Sequence, residues 1–395
     1  MVEALTVVTS VVVLLAVGMF VSFLANRSRL PEGVLLIASG WIVASLALRF
    51  GVPLGLPSMV VMALDIVAVA LVVFDAVSAC CVCVFERGVR GALLLVVVSA
   101  IVSLGVFSWV AREVAGLSVG GSLALSAVLL GSAPSVVWES LRRVRSRLAD
   151  VLRVEAILAA PLSVVVPLVI VNVGNKMVLG GASVAFVVLL TQVGLGLGTG
   201  VFVGILALRF LRSRLPDSYA SLGVLVSALV AYVLAEQVGG SGILSVATLG
   251  VFFGYVADRE RHRLLVFESL VAQGVHVLVF VMVGAVAMLP LSVDFLARAA
   301  VLVLVYYALR LLSVLVVLGR RVGWRDAFLG ALIAPKGLPA VAVALTLVAF
   351  DTSGSAFVMA GGSLVASYIV FFVVVSLLVS SFAVWLAGGY GKSVD

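Results

Sequence analysis

A lysine flanked by prolines lies in the middle of an apolar stretch that is long enough to cross a bilayer. The stretch covers residues 327 to 350, and Pro335, Lys336, Gly337 and Pro339 lie near its centre. An ammonium group at mid-membrane costs about 2.5 to 3.5 kcal/mol on insertion scales, and proline lacks the N–H that would continue a helix. Because non-helical backbone at this depth must line protein or a water-filled cavity, the pattern predicts an interrupted helix at a transport pathway.

A second interruption lies upstream, where Gly131, Ser132, Ala133 and Pro134 break another apolar run. Paired interruptions in two halves of a chain are typical of the binding site of a secondary transporter. Each break exposes a half-helix C-terminus with partial negative charge and a half-helix N-terminus with partial positive charge. Where two such helices cross in opposite directions, half-helix ends of the same partial charge come together. We expect Lys336 to offset the negative ends.

Other ionisable residues also fall inside apolar runs. Away from span ends these are Asp65, Asp75, Glu155 and Arg310. Charges in hydrocarbon are expensive, so they line a pathway or pair with each other. For Glu155 and Arg310 a structural ion pair is the alternative to a role in transport.

Three further groups are interpreted as structural. Glu236 and Glu268 lie near span ends, where solvation or snorkelling is expected, and His276 is read as a packing residue rather than a pH sensor. The cluster Cys80-Cys81-Val82-Cys83 lacks the spacing and histidines of a zinc site, so packing thiols are expected and no metal or cofactor is predicted.

The composition indicates a polytopic membrane protein. Of 395 residues 64% are hydrophobic and 11% charged, against about 25% charged in a soluble domain. Apolar runs predict an all-α fold of thirteen transmembrane helices. They cover approximately residues 4–25, 33–50, 59–83, 90–111, 120–138, 152–173, 183–208, 218–236, 241–257, 266–289, 296–318, 327–350 and 356–388. The first is read as a retained span rather than a signal peptide, since Glu3 replaces a basic leader.

Basic residues alternate along the chain in a way that predicts the orientation of the spans. Loops after odd-numbered spans and the C-terminal tail hold 19 of the 25 basic residues. The positive-inside rule therefore places the N-terminus outside and the C-terminus in the cytoplasm of a cell-membrane protein. The net charge of +7 is explained by this topology, so the expected partner is the lipid bilayer and nucleic-acid binding is not expected.

The two breaks fall in spans five and twelve, seven spans apart. This offset predicts two inverted six-helix repeats, at about 1–174 and 218–388, joined by a linker helix at about 183–208, with the two discontinuous helices crossed. The whole chain is read as one transmembrane domain. An enzyme is not expected, because no set of nucleophile, base and orienting group is visible.

Several stretches together resemble the monovalent cation/proton antiporter superfamily, in its thirteen-span sodium/proton exchanger branch. The stretches are residues 30–34, 235–244, 253–254, 310–314 and 334–340. The resemblance implies an antiporter fold that exchanges protons for sodium or potassium by alternating access, a homodimer, and a contact between the retained Glu155 and Arg310.

The sequence departs from this family at the ion site. Family members usually carry Thr-Asp-Pro at the first break, where this chain has Ser132-Ala133-Pro134. The aspartate that follows the family glutamate is also missing, since those positions are Ala159 and Ala160.

A partly dehydrated cation needs oxygen ligands and a carboxylate for which a proton competes. Ser132, Ser163 and free carbonyl groups could supply oxygens, with Glu155, Asp75 or Asp65 as the titrating group. Two alternatives stay open: an anion carrier that uses Lys336, Arg310 and half-helix N-termini, and a transport-inactive membrane scaffold or regulatory protein.

Overall fold

The computed structural model contains α-helices and no strand in the residues that it describes. These are residues 2–25, 27, 30–51, 57–82, 89–141, 147–214, 217–256, 261–287, 289–290, 292–319, 323–352 and 361–390. Fifteen α-helices lie in this part of the chain. They are α1 Val2–Ala25, α2 Glu32–Arg49, α3 Ser58–Val82, α4 Val89–Val102, α5 Ser108–Ala115, α6 Val119–Val128, α7 Pro134–Leu141, α8 Arg147–Arg214, α9 Asp217–Gln237, α10 Gly242–Val256, α11 Arg261–Val286, α12 Val293–Leu318, α13 Trp324–Leu332, α14 Leu338–Thr352 and α15 Gly362–Tyr390.

The helices agree with the all-α membrane fold predicted from the sequence. Among the described residues, eight helical segments are long and apolar enough to cross a membrane, and five shorter apolar helices lie at the positions of predicted spans five, eight, nine, ten and twelve. The predicted fourth span contains a π-helical turn, Ser103–Phe107, between α4 and α5.

The connection predicted between spans six and seven differs from the structure. Residues 174 to 182 have helical backbone, and both predicted spans belong to α8, Arg147–Arg214. The prediction divided the chain into apolar runs of about 17 to 25 residues, but residues 174 to 182 hold no proline that would remove a backbone donor. Pro161 and Pro167 lie farther back in α8 and do not end it.

Both predicted interruptions are present as non-helical backbone. Residues 129 to 133 separate α6 from α7, and residues 333 to 337 separate α13 from α14. Pro134 is the first residue of α7, a position where its missing N–H breaks no helical hydrogen bond. Pro335 lies within the second interruption, where it has no N–H to offer to the preceding turn. These two breaks are referred to below as break one (residues 129–133) and break two (residues 333–337).

Glycines allow the backbones of several helices to approach closely. A Cβ atom on Gly196 or Gly200 of α8 would lie 2.8 or 2.4 Å from carbonyl oxygens of Ser241 or Ser245, near and within α10. A Cβ on Gly284 of α11 would lie 2.1 Å from the carbonyl oxygen of Ile37 in α2. Small residues at such contacts drive packing in membranes, where apolar burial contributes little to association.

Candidate functional site

The two breaks touch each other through their backbones. The N–H of Ala133 in break one donates to the carbonyl oxygen of Pro335 in break two at 2.7 Å. A Cβ atom on Gly337 would lie 2.6 Å from the Cβ of Ala133, so glycine is required for this approach. The interrupted helices therefore meet at Ala133 and Gly337, and we call this contact the crossing.

Lys336 extends from break two onto the open end of α6. Its Nζ donates to the carbonyl oxygens of Leu129 and Gly131 at 2.6 and 2.7 Å, and the side chain is 1% exposed. These carbonyl groups follow the last turn of α6 and have lost their helical donors because the helix stops. The ammonium thus neutralises the negative end of a half-helix, as the sequence led us to expect.

Tyr306 and two serines complete the surroundings of Lys336. The ammonium lies 4.8 Å from the centre of the Tyr306 ring, a cation–π distance. The backbone N–H of Lys336 donates to Ser376 Oγ at 2.9 Å, and Ser380 Oγ donates to the carbonyl oxygen of Leu332 at 3.2 Å. Helix α15 therefore supplies the hydroxyl groups that satisfy break two.

Glu155 and Arg310 form a buried bidentate salt bridge between α8 and α12. The two terminal guanidinium nitrogens donate to the two carboxylate oxygens at 2.8 Å, and the side chains of Glu155 and Arg310 are only 2% and 4% exposed. Arg310 also donates to Ser99 Oγ at 3.3 Å. The contact expected between Glu155 and Arg310 is therefore present, and it adds α4 to the helices that the guanidinium holds together.

The positions where the family usually carries acids lie beside break one. Ala133, Ala159 and Ala160 are buried at 4%, 1% and 1% exposure. Ser163 Oγ donates to the carbonyl oxygen of Ala160 at 2.7 Å, and a Cβ on Gly131 would lie 2.3 Å from that hydroxyl. The hydroxyl of Ser132 is buried and has no hydrogen-bond partner among the described residues.

Asp65 and Asp75, the remaining carboxylates predicted to line a pathway, have different surroundings. Asp75 is exposed on α3, whereas Asp65 is buried and lines a cavity that shares no lining residue with the crossing. Glu236 is exposed, and its Oε1 accepts the backbone N–H of Gly242 at 2.8 Å at the start of α10.

His276 packs against Phe280, with ring centres 4.4 Å apart. The side chains of Glu268, Cys80 and Cys81, and the whole of Cys83, lie outside the described residues.

Sequence reasoning missed Tyr306, Ser99, Ser376 and Ser380. Tyr306 lies four residues before Arg310, one helical turn away, and this spacing was a usable signal for a shared face. The serines carry no comparable signal, because serines inside apolar helices commonly bond to their own backbone.

Two interrupted helices that cross within an all-helical membrane protein define a class, the secondary transporters with discontinuous helices. The transmembrane sodium/hydrogen exchanger family model matches residues 11–387, and the chain belongs to this family. Family and fold point to a transporter rather than to an enzyme.

The chain is also similar to a solved structure and to curated proteins. The sodium/proton antiporter MjNhaP1 from Methanocaldococcus jannaschii, solved at pH 8, superposes with a TM-score of 0.78 over 99% of both chains at 18% identity, which shows a shared fold. The low-affinity Na⁺/H⁺ antiporter NhaS1 of Synechocystis is 36% identical over 31% of this chain and 24% of its own length. The K⁺/H⁺ antiporter NhaP2 of Shewanella baltica is 31% identical over 36% of this chain and 25% of its own. The matched segments thus span about a quarter of these two relatives.

Proposed function

We propose that this protein is a secondary active antiporter that exchanges a monovalent cation, sodium or potassium, for protons. It works by alternating access around the two crossed breaks. The observation that carries the proposal is the crossing itself, where the two interrupted helices are joined by a backbone hydrogen bond and by the ammonium of Lys336. Such contacts let one group of helices move against another while buried polar groups keep their partners.

The main hydrogen-bond donors at the crossing already have acceptors, which disfavours the binding of an anion there. Lys336 is bound to two carbonyl groups and Arg310 is bound to Glu155. The N–H groups of Ala133 and Lys336, close to half-helix N-termini, are bound to Pro335 and Ser376. An anion would have to displace these acceptors, so we infer that the site does not carry anions.

Glu155 fits a positioning role. Both of its oxygens accept from the guanidinium of Arg310 in a bidentate, charge-assisted contact. The pair fixes α8, which carries Ala159 and Ala160, against α12. The coupling carboxylate must then be sought elsewhere.

Orientation and assembly are part of the proposal. We infer an external N-terminus and a cytoplasmic C-terminus from the distribution of arginines, and a homodimer from the family resemblance. The exposed positions Arg27 and Val238 test the topology, since thirteen spans place them inside and outside respectively.

A cysteine at each of these two positions, in a background without Cys80, Cys81 and Cys83, would be labelled with an impermeant maleimide. Labelling of Arg27→Cys and Val238→Cys from the same side would mean that α8 crosses the membrane once and would refute the thirteen-span topology.

Reconstitution tests the function. Purified protein in liposomes that contain a pH-sensitive dye would receive sodium, lithium, potassium or choline chloride. We expect proton movement with at least one of the alkali cations and none with choline, unchanged when gluconate replaces chloride. A response that follows chloride would support the anion carrier, and no response to any salt would support the transport-inactive protein.

Lys336→Met tests the role of the crossing, because it removes the ammonium from the carbonyl groups of break one. We expect this variant to insert and remain monodisperse but to lose the cation-dependent flux. Arg298→Met is the matched control, since it removes an exposed cation on α12 that pairs only with Asp294 among the described residues. Equal flux from both variants would contradict a role for the crossing.

A further inference from the structure

A polar cavity lies among α3, α8, α9, α10 and α14, apart from the crossing. It has a volume of about 380 Å³ and its polar lining includes Asp65, Tyr232, Glu236 and Thr346. Among the described residues that line it, two are carboxylates and none is basic. The cavity therefore has a negative electrostatic potential and is large enough to hold several water molecules.

Asp65 is the buried acid of this cavity. Asp65 is 4% exposed, and its Oδ1 has no hydrogen-bond partner among the described residues. Removing an ionised carboxylate from water is strongly unfavourable unless a proton or a cation neutralises it. Because the described residues that line the cavity include no basic one, the neutralising charge must come from the solution.

Thr346 on α14 contributes a second oxygen to the same cavity. Its hydroxyl donates to the carbonyl oxygen of Ala342 at 3.0 Å. The hydroxyl oxygen keeps lone pairs with which it can bind a cation.

Glu236 and Tyr232 mark the entrance. Glu236 is exposed and its Oε1 is held by the N–H of Gly242. The ring of Tyr232 lies flat on the same glycine, where a Cβ would come within 2.8 Å of it. Asp65 is seven residues beyond Ser58, the first residue of α3, about 10 Å along the helix at 1.5 Å per residue.

We propose that Asp65 and Thr346 form a binding site at which a monovalent cation and a proton compete. A cation that binds between the two oxygens displaces the proton of Asp65 into the water of the cavity, and the reverse step returns the proton. One buried carboxylate with one hydroxyl suits a singly charged ion, since divalent cations in proteins require more charged oxygens. The role of this site in coupling depends on the proposed antiport, but its occupancy by a cation does not.

Carbodiimide labelling tests occupancy without transport. Dicyclohexylcarbodiimide reacts with protonated carboxyl groups in apolar surroundings, and the product at Asp65 is measured by peptide mass spectrometry on the full chain in detergent. We expect sodium or potassium to reduce labelling of Asp65 by about tenfold relative to choline at equal ionic strength. Thr346→Val should raise the cation concentration needed for half protection by about tenfold, the factor for loss of one contact to a charged group. Thr346→Ser, which keeps the hydroxyl, should behave as the wild type.

Flux measurements separate this proposal from the antiport proposal. In liposomes we expect Asp65→Asn to lose cation-dependent proton flux, while Asp294→Asn, the same change at an exposed position, keeps it. Wild-type flux that persists in Asp65→Asn with the same cation dependence would overturn the site. Labelling that no cation reduces would also overturn it. Cation protection of Asp65 in a protein without any flux would support the site and refute the antiport. Should Asp65→Asn fail to fold, the two Thr346 variants decide the same question.

Discussion

The buried pair of Glu155 and Arg310 gives the sharpest test of how the fold is held together. The two side chains are 2% and 4% exposed and share two contacts of 2.8 Å. Removal of one partner leaves the other as an uncompensated buried charge, which typically costs about 3 to 5 kcal/mol. Glu155→Gln and Arg310→Met should each lower the free energy of unfolding by about this amount.

The double variant separates the pair from its surroundings. Glu155→Gln with Arg310→Met leaves no unpaired charge, so it should lose less than the sum of the single variants, with a coupling energy of about 2 kcal/mol or more. Arg310→Met also removes the contact with Ser99 at 3.3 Å, so some loss should remain. Unfolding would be followed by tryptophan fluorescence during titration of mixed micelles with sodium dodecyl sulfate.

The chain offers a matched control on α12. Arg298 and Asp294 also form a bidentate contact, at 3.0 and 3.2 Å, but their side chains are 44% and 74% exposed. Solvent screens this pair, so its coupling energy should be about 0.3 to 0.5 kcal/mol. If the coupling energy of Glu155 and Arg310 is no larger than that of this control pair, the conclusion that burial makes the pair essential is refuted.

Two further predictions concern the crossing. Gly337→Ala adds a Cβ that would lie 2.6 Å from that of Ala133, so it should lower the free energy of unfolding by about 1 to 3 kcal/mol. The control Gly274→Ala has open space around its Cβ and should change this free energy little. Equal effects of the two variants in the same titration would contradict a tight crossing. Ala160→Asp introduces a carboxylate at a residue that is 1% exposed, so the variant should be destabilised in choline and regain stability in sodium. A thermal melt that does not depend on sodium would show that no cation reaches this position.

The breaks could be predicted from sequence because their cause is local. A proline removes a donor wherever it lies, and a lysine in an apolar run must find acceptors. The argument from helix dipoles also predicted the kind of partner that Lys336 has, since the ammonium binds the carbonyl groups of Leu129 and Gly131. The contact between Glu155 and Arg310 followed from two arguments, namely the cost of unpaired charges in apolar runs and the family resemblance.

The Asp65 cavity could not be predicted, because its residues come from helices that are distant in the sequence. Helix α3 is apolar on nearly every side, so no amphipathic pattern shows which face is buried. Asp65 and Asp75 are ten residues apart, which leaves them about 80° apart around the helix. That rotation separates a buried carboxylate from an exposed one, and only the packing of α3 decides which is which.

Small residues at the crossing explain how the chain can lack the usual acid there. The side chain of Ala133 is a single methyl group, and it faces Gly337, which has no side chain. The two backbones therefore come close enough for a hydrogen bond of 2.7 Å. A longer side chain at position 133 would have to turn away from Gly337 or separate the helices. The N–H group that a carboxylate could have bound is occupied by the carbonyl oxygen of Pro335 instead. The crossing is thus satisfied without an acid of its own. In the antiport that we propose, the carboxylate that exchanges a cation for a proton therefore lies elsewhere. Asp65 is placed for this role because Thr346, which lines the same cavity, belongs to α14, the helix that begins directly after break two.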